Sequence, residues 1–404
     1  MQKIKAIAAK GGNGCQNGHE NGRGEMTEFA VAQAPAFEVT RVSISRACDF
    51  FASRGAMQIF ILCDPFLAAT NIEAELQTAA AGRFQLHLYS DFSGEPKLAS
   101  VQAALLAARS LSADAVLGIG GGSPLDMAKI VKTCLHTGRD VADFVMQANP
   151  LPPLSRQVPS VMIPTTAGTG SEASGTNILA LENGNKGWVW GPETRPCLAL
   201  LDPHFSASLP AGLTAWTGMD ALVHAFEAAT NRYTHSGAQL YAHQALRLSV
   251  AALPVAVAQP DNLDARTDML LASYYAGRAI DMCSTSIAHA LSHALASLAP
   301  INHGLATALA FEISLPFVLT ANTPEMQKAA AAFGVAQLDA MPEAVSSFMD
   351  GIGIDRQLPV AFDSFSATDL MAVLLSEEIQ PMREACVNYA SEADLLGFAK
   401  ALLD

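Results

Sequence analysis

With 404 residues, half of them hydrophobic and only 15% charged, the chain has material for two domains of ordinary size and is too apolar for bulk disorder. Its formal charge of -14 opposes binding to nucleic acid or to an anionic membrane surface, so a small diffusible partner is expected. Seven scattered cysteines, an odd number with no Cys-x-x-Cys pair, speak against a disulfide framework or a thiolate zinc site and for a reducing, cytoplasmic compartment.

Residues 1–37 read as a tail. MQKIKAIAAK, at 1–10, forms one short basic amphipathic turn, which is either a docking peptide or a stretch ahead of a native start at Met26. GGNGCQNGHENGRG, at 11–24, carries Gly and Asn without an apolar period and reads as a linker. No run of 18 apolar residues occurs and the stretch 4–9 is too short for a secretion signal, so no membrane partner is expected.

From residue 38 apolar runs alternate with alanine-rich helical stretches. Residues 58–63, 86–89, 115–119 and 160–163 are strand-like, which predicts an α/β domain with a largely parallel sheet over 38–209. Past Leu209-Pro210 the strand pattern stops, and 214–230, 237–258 and 264–280 follow helical periodicity. An all-α domain is therefore expected over 210–404, with no internal repeat relating the two.

The strand at 115–119 runs into Gly120-Gly121-Gly122-Ser123-Pro124 and a helical segment. Glycine lets the backbone approach a phosphate and a helix start offers unsatisfied N–H groups, so the turn suits a pyrophosphate, although a plain tight turn uses the same residues. A second turn, Thr165-Thr166-Ala167-Gly168-Thr169-Gly170-Ser171-Glu172, also follows a strand. It offers hydroxyls and amides to phosphate or a nicotinamide carboxamide, or else is a capped loop in which Ser171 starts a helix. Asp64 ends another strand, where its carboxylate either binds a ribose diol and repels a 2′-phosphate, favouring NAD over NADP, or caps a helix.

In TGMDALVHAFE, Asp220 and His224 stand four residues apart and project from one helix face. His289, His293 and His303 follow within fifteen residues, among alanines and leucines that would desolvate them without partners. Nitrogen and oxygen donors without thiolate suit a divalent Fe, Zn, Mn or Co ion, with Fe(II) or Zn(II) preferred. One aspartate and three neutral imidazoles would leave such an ion with net positive charge, which favours an alkoxide over the neutral alcohol. Glu227, three residues past His224, either orients a ligand imidazole or is a solvated helix glutamate.

Taken in order, GGGSPLDMAK, IPTTAGTGSE, LDPHFSASLP, TGMDALVHAFEA and the HALSH to NHG segment resemble the signatures of the iron-containing, or group III, alcohol dehydrogenases, over about residues 38–320. Gly94-Glu95-Pro96 is similar to the ethanolamine-utilisation branch. The resemblance implies a Rossmann-like dinucleotide-binding domain, an all-α domain and a metal between them, an architecture shared with dehydroquinate synthase. It implies a homodimer or larger homo-oligomer that passes a hydride between NAD and a metal-bound alkoxide or aldehyde. Residue by residue, it assigns Asp220, His224, His289 and His303 to the metal, with Fe(II) preferred and Zn(II) or Mn(II) as alternatives. It assigns His293 to proton relay beside the nicotinamide. Asp64, Gly121, Gly122, Ser123, Asp126, Thr165, Thr166, Gly168, Thr169 and Lys186 fall on cofactor positions.

The chain departs from the family pattern at residues 280–286, which would border the substrate pocket together with Thr176, Ile280 and Ser284. Thr176 and Arg278 would make that pocket polar and suited to a hydroxy-, phosphono- or sulfo-aldehyde, unless Arg278 is an ordinary surface residue. Two rival readings are a dehydroquinate synthase-like lyase and a non-catalytic scaffold. The lyase is disfavoured because residues 211–310 hold no lysine and only four arginines to meet a phosphorylated substrate.

Overall fold

The computed structural model describes residues 29–403, apart from 30, 32, 155, 156 and 183; the readings of residues 1–28 as docking segment and linker lie outside the described residues. Strands β1 (Ala36–Val39), β2 (Gln58–Cys63), β3 (Gln85–Tyr89), β4 (Ala115–Gly120) and β5 (Ser160–Pro164) are followed by an antiparallel pair, β6 (Thr176–Ala180) and β7 (Lys186–Trp190), and then by β8 (Leu198–Leu201). All but the antiparallel pair form one six-stranded sheet, ordered β1-β8-β5-β4-β2-β3 and parallel throughout.

The sheet is covered on both faces, which is why its strands are apolar runs and not polar-apolar alternations. On β2, Ile59, Ile61 and Cys63 pack with Ala47 and Phe51 of α1 (Ser43–Ser53) and Leu76 of α2 (Ile72–Ala80). Phe60 and Leu62 point the other way, to Val101 and Leu105 of α3 (Leu98–Ser110) and Ile130 and Val131 of α4 (Gly122–Cys134). The two-residue period of the strand thus assigns alternate side chains to two separate cores.

Among the described residues no strand occurs after β8. The chain continues as α5 (Ala211–Thr230), α6 (Ser236–Ala258), α7 (Leu263–Cys283), α8 (Ile287–Leu298) and α9 (His303–Leu319), with shorter helices to Leu403. α5 is buried along nearly its whole length because alanine and glycine on its surface let α6, α7 and α9 approach; Gly218, for example, sits against Leu253. α6 is the one described helix long and apolar enough to cross a membrane, but its buried Ala242, Ala245, Leu246 and Leu253 belong to the helical core.

The sheet and the helices meet along the loop after β5. Gly170 and Gly277 of α7 cross so closely that a Cβ on Gly170 would stand 2.5 Å from the Gly277 Cα. One turn further, Asp281 accepts from the Gly175 N–H at 2.8 Å and pairs with Arg278 of its own helix and Arg195 from the α/β half. Arg278 is fully buried there, which overturns its reading as a surface residue and uses its charge in an internal ion pair.

Candidate active site

The chain moves outward from β2 to β3 and then crosses back to β4 on the other side of β2. The carboxyl ends of β2 and β4 therefore flank a switch in topology, where open α/β sheets bind ligands. Asp64, the glycine turn and the threonine loop all lie here. Gly120 has a φ of +147°, and a Cβ on it would meet Pro124 and come within 3.0 Å of the Asp64 Cβ. Gly122 faces Thr169 and Gly121 faces Thr166, so the two turns are in side-by-side contact. Gly121 starts α4 without a side-chain cap, which leaves the first helical N–H groups open to an anion.

The alternative local readings hold for two of these residues as well. The Asp64 Oδ1 accepts from the Phe66 N–H at 2.9 Å and caps a short helix, Pro65–Ala68. Ser171 begins a 3₁₀ turn, Ser171–Ala173. Asp126 is buried and committed internally: it accepts from the Ser171 hydroxyl and the Ile178 N–H and pairs with Lys129. It braces the threonine loop against β6 instead of lying open in the crevice.

The helical half contributes a buried cluster of imidazoles. Asp220 and His224, one turn apart on α5, meet His289 of α8, each offering one donor atom within 4.8 Å of the others. On the Asp220 Oδ1 converge His289 Nε2 at 3.3 Å, His303 Nε2 at 3.5 Å and His224 Nδ1 at 3.8 Å. The His224 and His289 rings stack with centroids 4.2 Å apart. Gly304 brings the start of α9 so close to α5 that a Cβ there would overlap the Trp216 carbonyl, and Gly168 similarly faces Thr217. These two glycines let His303 and the threonine loop reach the α5 face that carries Asp220.

The outer nitrogens of His289 and His303 are held. Glu227, buried on α5, accepts from His289 Nδ1 at 2.7 Å and from the N–H groups of Ser286 and Ala288 at 2.6 and 2.8 Å. Glu227 is therefore not a solvated helix glutamate: it is buried and holds the His289 ring. The Ser292 hydroxyl lies 3.2 Å from His303 Nδ1, while the Gly168 carbonyl lies 3.4 Å from His224 Nδ1, the same nitrogen that faces Asp220. With Nδ1 protonated, neutral His303 turns an Nε2 lone pair toward a carboxylate oxygen in a confined space, and His289 does the same once it gives up its second proton, so the neutral set is repulsive without a cation among them. The donor set therefore fits a divalent ion with nitrogen and oxygen ligands.

Electrostatics follow from the same arrangement. Burial opposes the Asp220 carboxylate, yet the three histidines together hold its pKa well below the usual range. Burial lowers His224 to about 4 and His303 to about 3. His289 also suffers burial, but Glu227 and Asp220 outweigh it and push the ring up to about 9. His293, with its ring 5.5 Å from that of His303, is held neutral by burial and then by the charge of Lys186.

Lys186 opens β7 with its ammonium buried and 2.6 Å from Glu95. The residues expected at the substrate pocket are less concentrated. The Thr176 carbonyl accepts from Lys129, Ile280 packs into the helical core, and Ser284 caps α7 at a φ of +85° with its carbonyl accepting from Asn231. Sequence reasoning missed Ser292, Gly168 as a carbonyl partner, and the pairing of Glu95 with Lys186. Ser292 stands three residues after His289, a helical spacing that was legible; the other two depend on contacts across the fold.

The chain matches two family descriptions: iron-containing alcohol dehydrogenase over residues 37–203, and the C-terminal region of the same family over residues 214–361. Long-chain-alcohol dehydrogenase 1 of Geobacillus thermodenitrificans (strain NG80-2) is 34% identical over 66% of this chain and 66% of its own length, just under two thirds of that relative. Probable alcohol dehydrogenase EutG of Escherichia coli (strain K12) is 34% identical over 68% of this chain and 69% of its own. Among solved structures, sulfoacetaldehyde reductase from Bifidobacterium kashiwanohense in complex with NAD+ superposes with a TM-score of 0.84 at 26% identity, covering 93% of this chain and 98% of that one.

Proposed function

The chain belongs to the iron-containing alcohol dehydrogenases, and from that premise we propose that it interconverts a small alcohol and its aldehyde with NAD(H), at a metal held by Asp220, His224, His289 and His303. The observation that carries the reading is the convergence of three imidazoles on the Asp220 Oδ1, buried and one loop away from the glycine turn. A divalent ion there, Fe(II) by preference and Zn(II) or Mn(II) by the same donor chemistry, would supply positive charge for the substrate oxygen, and NAD would supply the hydride chemistry.

The chain's own groups do the positioning. Gly121, Gly122 and Ser123 offer N–H groups to the pyrophosphate, and Thr165, Thr166, Gly168 and Thr169 line the facing loop. Asp64 uses one oxygen as a helix cap and leaves the other for a ribose diol, which favours NAD over NADP. Glu227 and Ser292 hold the outer nitrogens of His289 and His303 so that their Nε2 atoms face Asp220. His293, kept neutral by burial, accepts the proton released on alcohol oxidation or returns it on aldehyde reduction. Asp220, His224, His289 and His293 are buried, which limits water around the reacting groups, while the His303 side chain is 27% exposed.

Thiols that are all free among the described residues suit a cytoplasmic enzyme, and a homo-oligomeric state completes the reading. The test is NADH oxidation by metal-reconstituted protein over a panel of aldehydes. Reduction should be abolished by chelation or by His289→Ala, and full activity after either would refute the metal-centred reading.

A further inference from the structure

We propose that Asp126 is a positioning residue for the dinucleotide: through Ser171 it fixes the gap between the glycine turn and the threonine loop, and with it the affinity of the site for NAD(H). The inference rests on the NAD(H)-linked reading above.

The two walls of the gap are tied at both ends. At the near end the Thr165 N–H donates to the Gly120 carbonyl at 2.9 Å, continuing the β4–β5 pairing. At the far end Thr169 faces Gly122, and a Cβ on Gly122 would stand 2.8 Å from the Thr169 methyl carbon. Two residues on, the Ser171 hydroxyl donates to Asp126 Oδ1 at 2.5 Å, and Asp126 lies one turn beyond Gly122 on the same face of α4. The Ser171 N–H also donates to Thr169 Oγ1 at 3.3 Å. That leaves the Thr169 hydroxyl proton, and the first N–H groups of α4 opposite, to an anion in the gap.

Asp126 is itself immobilised. Its Oδ2 accepts from the Ile178 N–H at 2.9 Å, and the Lys129 ammonium lies 3.2 Å from its Oδ1 while donating to the Thr176 and Ser174 carbonyls at 2.7 and 3.3 Å. Lys129 is fully buried, and its charge offsets a carboxylate that would otherwise repel a pyrophosphate one turn away. The loop has separate attachments to the helical half: the Gly170 N–H donates to the Ser273 hydroxyl at 3.2 Å, and Gly168 and Gly170 pack on Thr217 and Gly277. Loss of the Ser171–Asp126 bond therefore leaves the loop folded and frees its dinucleotide side. The residues proposed for the metal, carried by α5, α8 and α9, keep their places.

The experiment measures NADH binding to the metal-loaded enzyme by fluorescence titration, with kcat and the KM values for NADH and propionaldehyde alongside. Ser171→Ala should weaken NADH binding and raise its KM about tenfold, the lower end of what a hydrogen bond to a charged group is worth. The kcat at saturating NADH, the propionaldehyde KM and the metal content should stay close to wild type. Ser171→Cys, which keeps a weak donor, should fall between wild type and Ser171→Ala, and it decides the matter should the alanine variant not fold. Asp126→Asn combined with Ser171→Ala should bind NADH no more weakly than the weaker single variant, since both act through one bond. A purely structural role would lower thermal stability and leave the NADH affinity of folded protein unchanged. Folded Ser171→Ala or Ser171→Cys protein with wild-type NADH affinity overturns the proposal, as does additive weakening in the double variant. Wild type that binds no NADH overturns it together with the reading it rests on.

Discussion

Replacing Glu227 by glutamine alters one atom of the side chain and removes its charge, and the structure makes the consequence calculable. The carboxylate accepts three hydrogen bonds, from Ser286, Ala288 and His289, all between 2.6 and 2.8 Å. Oε2 serves Ser286 and His289, and Oε1 serves Ala288. An amide keeps one acceptor oxygen; if it faces Ser286 and His289, the NH2 confronts the Ala288 N–H. A buried donor without an acceptor costs about 1–3 kcal/mol. The ring of His289 also loses its charged partner, which for a ligand imidazole lowers metal affinity by about 10–100-fold. Competition with a graded series of chelators measures the affinity, and thermal unfolding of the metal-free protein measures the local cost. Glu227→Gln protein that retains wild-type metal affinity would refute the claim that this carboxylate sets the orientation of His289.

Other outcomes follow from the same geometry. Gly304→Ala drives a Cβ into the Trp216 carbonyl, so His303 must shift; metal content should fall, with a stability loss of about 1–3 kcal/mol by denaturant titration. Metal uptake should release a proton from His289 below pH 9, because the free ring is pushed up to about 9 and a ligand must be neutral. Apparent affinity should therefore climb as pH approaches about 9 and then level off, as followed with an indicator dye; a pH-independent affinity contradicts it. Glu172 is buried with Oε1 unpartnered, and burial raises its carboxyl to about 7. A folded pKa above the unfolded 4.5 means that its contribution is fully present below 4.5 and lost as pH rises through about 7. Glu172→Gln should flatten that part of the stability profile, and an unchanged slope in chemical denaturation would show that the group does not titrate there.

Much of this protein was legible in one dimension because its signals are local. Strands buried on both faces are apolar throughout, so 58–63 and 115–119 announced themselves, and the four-residue spacing of Asp220 and His224 implied one helix face before any helix was seen. The β6–β7 pair was not read. Its Lys186-Gly187-Trp188-Val189-Trp190 strand lies outside the main sheet and has no long apolar run to mark it.

What only the tertiary structure decided is what each polar side chain touches. Glu227 had two equal readings until Ser286 and Ala288 folded back over it. Arg278 was assigned to a pocket or the surface until the Asp281 carboxylate, which it shares with Arg195, took its charge inside the fold. The proposed metal cluster joins residues up to 83 apart in sequence, Asp220 with His303, and its closure depends on glycines at 168 and 304 whose missing side chains leave room for the approach. Sequence spacing sets which donors share a helix face; close packing of distant backbone sets which of them meet, because the space each glycine leaves is filled by another segment.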